Sequence, residues 1–181
     1  KLIKRVSDGS IGLGGWSFPI RNDVTGASVT RTTDSAGNIT VSDLEAGTYT
    51  VTEQAVSGYV TQPAQTVTLQ PGTSTVTFTN TPLTGGLTVQ KSVNYGSLKG
   101  FQFRLHGTST IGKNVDVTVS TNSSGTAAST GIYVGTYTLE ELDPGSAYLP
   151  VRSKTVTISA DSTTGTGSAE TVSFTNTYKY W

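Results

Sequence analysis

The chain has 181 residues, and its length and composition exclude several classes of protein. Its 12 basic and 12 acidic residues give a formal net charge of zero and are scattered singly, which argues against nucleic acid or an anionic membrane as a partner. No apolar run approaches transmembrane length, and the absence of cysteine excludes disulfides, thiolate catalysis and thiolate metal sites.

Short alternating runs of apolar and polar residues, bounded by Gly, Asn, Asp and Ser, recur along the chain, and helical periodicity is absent. In the first half they predict strands at about 2–6, 15–20, 27–33, 38–43, 47–54, 65–70 and 74–80. In the second half they predict strands at about 87–93, 101–106, 114–120, 126–129, 135–142, 153–158 and 170–178. Seven short strands per half predict an all-β chain of two tandem antiparallel β-sandwich domains, immunoglobulin-like or transthyretin-like.

The two halves repeat each other, which indicates an internal duplication. GTYTVTEQ at 47–54 corresponds to GTYTLEEL at 135–142, and TVTFTNT at 75–81 corresponds to TVSFTNT at 171–177. A short linker at 79–86, with turn residues at Pro82 and at Gly85 and Gly86, would separate the halves. We therefore predict one domain at 1–83 and a second at 84–181.

Strand parity places three polar residue types on inward faces, because successive side chains on a strand point to opposite sides of the sheet. Parity also separates inward Glu141 from Glu140, which falls with Thr138 on the outer face. The inward sets, in the same order in both halves, are Lys4, Glu53 and Asn80, and then Lys91, Glu141 and Asn176. Alternatively, each of these residues lies at the surface or in a turn. A surface or turn position would explain any single one of these residues, but it would have to apply independently to three residue types in both halves.

A buried Lys–Glu–Asn set can form a covalent crosslink. Desolvation lowers the pKa of a lysine and raises that of a glutamate, so an apolar pocket favours a neutral amine beside a neutral acid. The amine can attack the asparagine carboxamide and expel ammonia. The glutamic acid would polarise the asparagine carbonyl oxygen and shuttle protons, and fixed geometry would supply a high effective molarity.

Both halves resemble the collagen-adhesin B-type (Cna-B) domains of Gram-positive surface adhesins and pilins. The resemblance rests on the first-strand lysine, the glycine-rich approach to an aromatic strand at 14–18 and 99–103, the DLEAGTYTVTE block at 43–53, and the FTNT endings at 78–81 and 174–177. It implies an intramolecular isopeptide bond between Lys4 and Asn80 assisted by Glu53. The matching bond in the second half would join Lys91 to Asn176 with Glu141 assisting.

The resemblance implies a structural stalk or shaft segment of a surface adhesin or pilus protein, outside the cell on the bacterial wall or pilus. Its partners would be neighbouring domains of the same protein or pilus, with no nucleic acid, no membrane insertion, no metal and no cofactor. Such a protein is not an enzyme in the turnover sense. The alternative function is a ligand-binding adhesin module that recognises a host protein or glycan through loops such as 160–168.

Other residues offer weaker candidates for chemistry. His106 is the single histidine, which excludes a duplicated Ser-His-Asp hydrolase and argues against a histidine metal site. We expect it at a strand end on the surface. Asp34 and Asn122 occupy equivalent turns and are expected to cap them rather than bind calcium. Trp16 and Phe101 occupy matching places and are expected in the cores, the alternative being a sugar-stacking platform.

Overall fold

Strands are the only regular secondary structure in the residues that the computed structural model describes, 1–9 and 12–180. The chain divides into unit 1, Lys1–Pro82, and unit 2, Leu83–Trp181. The strands of unit 1 are β1 (Leu2–Val6), β2 (Ser17–Asn22), β3 (Ser28–Thr32), β4 (Asn38–Ile39), β5 (Gly47–Val51), β6 (Gln65–Leu69) and β7 (Val76–Asn80). Those of unit 2 are β8 (Thr84–Val93), β9 (Gln102–Thr108), β10 (Asn114–Ser120), β11 (Thr126–Tyr133), β12 (Gly135–Glu141), β13 (Lys154–Ile158) and β14 (Ala169–Asn176).

Each unit contains one three-stranded and one four-stranded sheet. In unit 1 the strand orders are β4-β1-β7 and β3-β2-β5-β6, and in unit 2 they are β11-β8-β14 and β10-β9-β12-β13. In unit 2 the apolar faces of both sheets enclose a core that contains Phe103, Leu105, Leu139 and Phe174. In unit 1, Phe18 and Phe78 are buried with ring centroids 5.1 Å apart. The predicted all-β fold class, with two sandwich domains, is confirmed.

The first and last strands of each unit are hydrogen-bonded neighbours, and they run parallel. β1 pairs with β7, and β8 pairs with β14, while the other strand pairs of the described residues are antiparallel. Alternation within one strand carries no information about the direction of its neighbour, so the sequence did not predict this pairing. It brings the two ends of each unit's sequence side by side.

Several predicted boundaries were wrong. The strand predicted at 38–43 is only two residues long, Asn38–Ile39, whereas its counterpart β11 extends to Tyr133 instead of ending near 129. Gly85 and Gly86, predicted to form a turn in the linker, lie within β8. They are needed there because a Cβ at Gly85 would lie 2.8 Å from the Ser159 carbonyl oxygen, so the glycine allows a close approach of backbone to backbone.

Candidate functional site

The parallel register places the lysine and the asparagine of each unit on adjacent strands. In unit 1, Lys4 lies opposite Phe78, and Asn80 lies opposite Val6. In unit 2, Lys91 lies opposite Phe174, and Asn176 lies opposite Val93. The lysine and the asparagine are thus offset by two residues on the same face, so the two side chains can meet across neighbouring strands.

In unit 1 the three predicted residues form one buried cluster. Lys4 and Asn80 are each 1% exposed and Glu53 is 4% exposed. The Lys4 Nζ lies 3.8 Å from Glu53 Oε1, and the Asn80 Nδ2 donates a hydrogen bond of 2.6 Å to Glu53 Oε2. Glu53 lies just beyond β5, which ends at Val51, but it keeps the inward parity of that strand.

Unit 2 repeats the cluster with a closer approach. Lys91 Nζ donates to Asn176 Oδ1 and lies 3.4 Å from Glu141 Oε1. The Asn176 Nδ2 donates to Glu141 Oε2 at 2.6 Å. The Glu141 side chain is 1% exposed, whereas that of Glu140 is 37% exposed and pairs with Arg104 and His106 on the outer face. Glu141 is therefore the inward-facing glutamate, as strand parity predicted, and its functional role stays a prediction.

The two oxygens of each glutamate face different nitrogen atoms. In both units Oε2 accepts from the asparagine amide, while Oε1 is directed at the lysine amine. Among the described side chains, Glu53 Oε1, Glu141 Oε1 and Asn80 Oδ1 are buried without a hydrogen bond. The glutamate contacts the amide nitrogen rather than the carbonyl oxygen, so polarisation of that oxygen by glutamate, expected from the sequence, is not the arrangement present.

Burial changes the ionisation of these groups. Desolvation lowers the pKa of Lys4 to about 8, against the opposing attraction of Glu53. Desolvation raises the pKa of Glu53, which the hydrogen bond from Asn80 and the charge of Lys4 only partly offset. Burial likewise lowers the pKa of Lys91, with Glu141 acting in the opposite direction. The environment therefore favours a neutral amine, the form that can act as a nucleophile.

An aromatic ring lies over each lysine amine. The Lys4 Nζ is 3.9 Å from the ring centroid of Trp16, and the Lys91 Nζ is 4.4 Å from that of Phe101. Both rings are buried, as predicted, but their contact with the two lysine amines was not predicted. The sequence feature that could have indicated this contact is the equivalent position of the two aromatic residues in the repeat, just before β2 and β9.

A backbone carbonyl orients each asparagine amide, and sequence reasoning missed it. Val60 O accepts from Asn80 Nδ2 at 3.1 Å, and Leu149 O accepts from Asn176 Nδ2 at 2.9 Å. The residues before these carbonyls, Tyr59 and Tyr148, pack edge-on against Trp16 and Phe101. Backbone carbonyls have no sequence signature, but the repeated tyrosine could have marked the segment.

The remaining candidates have structural roles. The Asp34 carboxylate accepts from Ala36 N at 2.9 Å and Asn38 N at 2.8 Å, and Asn122 makes the equivalent turn contacts. His106 lies within β9, partly exposed, rather than at a strand end. In the 160–168 loop, the exposed Asp161 accepts from Thr163 N at 2.8 Å and Thr164 N at 2.7 Å.

The described part of the chain contains no group of three or more His, Cys, Asp or Glu residues able to hold a metal ion. It also contains no helix of the length and hydrophobicity required to cross a bilayer.

Family comparison supports the architecture. The model of the SpaA family, described as a prealbumin-like fold domain, matches residues 1–82 and again residues 85–173. The chain belongs to this family. The tandem match confirms the family resemblance found in the sequence, and each unit is hereafter called a SpaA-type unit. No curated protein sequence matches the chain.

Solved structures show the same fold. The Bacillus anthracis TIE protein aligns with 98% of this chain at 22% identity and a TM-score of 0.73, and the chain spans only 33% of the length of that protein. The C-terminal fragment of the pilus adhesin SpaC from Lactobacillus rhamnosus GG aligns with 100% of this chain at 17% identity and a TM-score of 0.64, and 98% of that fragment is covered. At these identities the likeness concerns the fold alone.

Proposed function

We propose that the two SpaA-type units form a stalk or shaft segment of a bacterial surface adhesin or pilus protein, and that each unit makes its own intramolecular isopeptide bond. The bonds would join Lys4 to Asn80 and Lys91 to Asn176. The proposal rests on the buried glutamate of each unit. One of its oxygens faces the lysine nitrogen, which would enter the new amide bond, and the other faces the asparagine amide nitrogen, which would leave as ammonia.

The proposed reaction is a transamidation in which the glutamic acid is regenerated. The neutral Lys4 Nζ attacks the Asn80 Cγ, and a new C–N bond forms. Glu53 accepts a proton from Nζ at Oε1 and delivers its own acidic proton to Nδ2, which already lies 2.6 Å from Oε2 because it donates a hydrogen bond to that oxygen. The Cγ–Nδ2 bond breaks and ammonia leaves. Each site reacts once, so the chain is not an enzyme with turnover.

The buried site supplies what this slow reaction needs. Burial lowers the pKa of the amine and raises that of Glu53, and both shifts favour the neutral reactants. Neighbouring strands hold the two side chains together, which replaces an encounter in solution by a high effective molarity. By the loop-entropy model for disulfides, a bond that closes a loop of this size stabilises the folded state by about 4 to 5 kcal/mol.

A mechanical role accounts for the two covalent bonds better than catalysis does. The bond joins the first and last strands of a unit, so tension applied to the chain would pass through the bond and bypass the strands between them. We place the protein outside the cell, on the wall or pilus of a Gram-positive bacterium, with neighbouring domains of the same assembly as its partners. SpaC, whose C-terminal fragment has the same fold, is a pilus adhesin.

The deciding experiment is the intact mass of the purified chain under denaturing conditions. We expect a deficit of two ammonia molecules relative to the sequence. Glu53→Gln and Glu141→Gln preserve side-chain size but remove the acid, and each should restore one ammonia mass. Peptide mapping should find Lys4 linked to Asn80 and Lys91 linked to Asn176.

Glu140→Gln is the matched control, because Glu140 is adjacent in sequence but lies on the outer face. It should leave the deficit of two ammonia molecules unchanged. A wild-type chain with the full sequence mass would refute the crosslinks in both units.

A further inference from the structure

A buried threonine that takes no part in the proposed chemistry recurs at the same place in both units. Thr33 directly follows β3 and Thr121 directly follows β10, and they are 5% and 3% exposed. A buried hydroxyl group needs hydrogen-bond partners. The partners of these two hydroxyl groups therefore indicate what each threonine holds in place.

In unit 1, Thr33 holds the segment that leads into β2. Its Oγ1 donates to Leu13 O and accepts from Trp16 N at 3.0 Å. Its backbone binds the same segment, because Thr33 N donates to Trp16 O and Gly15 N donates to Thr33 O, both at 2.9 Å. Four hydrogen bonds to one residue thus fix the turn that carries Trp16.

Unit 2 repeats these contacts. Thr121 Oγ1 donates to Leu98 O at 2.6 Å and accepts from Phe101 N at 3.0 Å. Thr121 N donates to Phe101 O, and Gly100 N donates to Thr121 O, both at 2.9 Å. The two segments differ in sequence, Leu-Gly-Gly-Trp at 13–16 and Leu-Lys-Gly-Phe at 98–101, so the threonine contacts serve a feature that both units share.

The shared feature is the aromatic ring over the lysine amine. Thr33 fixes the backbone of Trp16, and the indole ring lies 3.9 Å from Lys4 Nζ. The other end of the segment contacts the turn at Gly37, where an added Cβ would lie 3.0 Å from Leu13 Cβ. Gly37 O in turn accepts from Lys4 N at 2.7 Å. One segment, held by Thr33, therefore reaches both the amine and the backbone of the lysine.

We propose that Thr33 and Thr121 are positioning residues for crosslinking, whose hydroxyl groups hold the 13–16 and 98–101 segments so that the aromatic ring covers the lysine amine. This inference rests on the proposed function. Each threonine acts through the ring, which keeps water from the amine, rather than on the reacting atoms. A threonine hydroxyl donates and accepts at the same time, whereas a valine of nearly the same shape does neither.

The test measures the crosslinking rate of unit 1 in Glu141→Gln chain synthesised in denaturant, so that it has not reacted before it folds. Thr33→Val should slow the loss of ammonia, followed by intact mass, by about fivefold or more, because the ring is no longer fixed over the amine. Thr32→Val is the matched control, since Thr32 is the preceding residue and is exposed. It should react at the parental rate.

The fluorescence of Trp16 distinguishes positioning from a loss of stability. Trp181→Phe removes the second of the two tryptophans, so that emission reports Trp16 alone. In the unreactive Glu53→Gln, Glu141→Gln background, Thr33→Val should move the emission of the folded chain to longer wavelength as water reaches the indole. Thr32→Val should leave the emission unchanged. A variant that is only less stable would keep the parental emission while circular dichroism shows it to be folded.

Thr33→Ser and Thr33→Cys form a second matched pair, because both lose the methyl group and they differ only in oxygen against sulfur. Serine keeps both hydrogen bonds and should restore the parental rate and emission. The thiol is a weak donor and a weak acceptor, so the cysteine variant, kept in reductant, should react more slowly. This pair decides the question if Thr33→Val does not fold.

A folded Thr33→Val chain with the parental rate, or with a slower rate but unchanged Trp16 emission, would overturn the positioning role and leave the crosslink itself intact. Equal rates for the serine and cysteine variants would do the same. If the Glu141→Gln parent never loses ammonia from unit 1, the proposed function fails there, and the positioning role fails with it.

Discussion

At Lys4 and Glu53, burial acts on the two ionisable groups in opposite directions. It lowers the pKa of the amine to about 8 and raises that of the carboxyl group. A buried ion pair must recover a desolvation cost of several kcal/mol per ion, whereas the neutral pair avoids most of that cost. Both shifts therefore increase the share of the unreacted site that holds a neutral amine beside a neutral acid, the protonation state that the proposed transamidation consumes.

The rate of crosslinking in unit 1 should therefore depend on pH. Below pH 8 the neutral fraction of Lys4 falls about tenfold per pH unit, so the rate should rise with pH over the range in which Glu53 remains protonated. The raised pKa of Glu53 sets the alkaline limit, because deprotonation removes the acid that protonates the leaving nitrogen. Glu141→Gln chain synthesised in denaturant, so that it has never folded or reacted, would be folded at each pH and quenched in acid, and its intact mass would report the rate.

A rate that does not rise with pH on the acid side of the profile would contradict a neutral-amine mechanism. The Glu53→Gln, Glu141→Gln double variant provides the baseline, since neither unit should then lose ammonia at any pH.

The ring over each lysine also affects reactivity. Trp16 is 4% exposed and covers the Lys4 Nζ, which keeps water from the amine. Trp16→Ala should slow crosslinking in unit 1 by about tenfold or more, as water enters and the amine pKa returns toward that of a solvated lysine. The measurement is the crosslinked fraction against time after refolding, in the Glu141→Gln background.

Trp16→Phe is the matched control, because unit 2 already has Phe101 in this place and its ring contacts Lys91. It should react nearly as fast as the parent chain. Because Trp16→Ala also creates a core cavity at a cost of about 3 to 5 kcal/mol, circular dichroism must establish that the variant is folded. A folded alanine variant that reacts at the parental rate would exclude this role of the ring.

Parity in the sequence predicted the six inward residues and distinguished Glu141 from Glu140. It could not identify Val60 O and Leu149 O as partners, because every residue has a carbonyl and only the folded path of the segment decides which one is near. It also could not predict the orientation of the asparagine amides, which these carbonyls determine.

At the level of elements, the turns that connect β3 to β4 and β10 to β11 contact the backbones of Lys4 and Lys91. Lys4 N donates to Gly37 O and Lys91 N donates to Gly125 O, both at 2.7 Å. Both glycines have φ of 78°, and a Cβ at either would collide with the lysine carbonyl oxygen. Each turn thus presses directly on the strand that carries the lysine, and only glycine fits.

Gly125→Ala should destabilise unit 2 by about 3 kcal/mol or more, because it combines left-handed backbone strain of about 1 to 2 kcal/mol with a backbone collision. Gly112→Ala is the matched control, with φ of 77° and nothing within 4 Å of the added Cβ, and should show the strain alone. The free energies of unfolding, measured by denaturant titration in the Glu141→Gln background, give the comparison. Equal losses of unfolding free energy in the two variants would mean that the turn at Gly125 shifts away from Lys91 and avoids the collision.

Strand alternation predicted β1 at 2–6 and β10 at 114–120 with their observed bounds. It was less successful for β4 and β11, whose lengths depend on whether β1 or β8 extends far enough to pair with them. Pairing is a property of two strands, so the pattern in one strand cannot determine where it stops. The same reason explains why Gly85 and Gly86 were mistaken for a turn.

At the scale of the whole molecule, the proposed bonds would determine how much chain can be extended by force. In each unit the bond would join the first and last strands and so shield the 75 residues between Lys4 and Asn80 and the 84 between Lys91 and Asn176. In the Glu53→Gln, Glu141→Gln double variant, single-molecule stretching should show two unfolding steps that release about 260 Å and about 290 Å of chain, at about 3.4 Å per residue.

The wild-type chain should show neither step before its attachments fail, and Glu140→Gln should behave like wild type. Wild-type steps of the full length would mean that the bonds are absent or do not carry the load.

The parallel pairing of the first and last strands also determines when a unit could form its proposed crosslink. β7 is the last strand of unit 1 to be made, so Lys4 has no asparagine to react with until the whole unit has been synthesised. Pairing strands so far apart in sequence requires closure of a long loop, which makes it a late event in folding. With the proposed bond, a newly made chain would therefore stay linear while it is unfolded, and it would become an internally closed molecule only after folding.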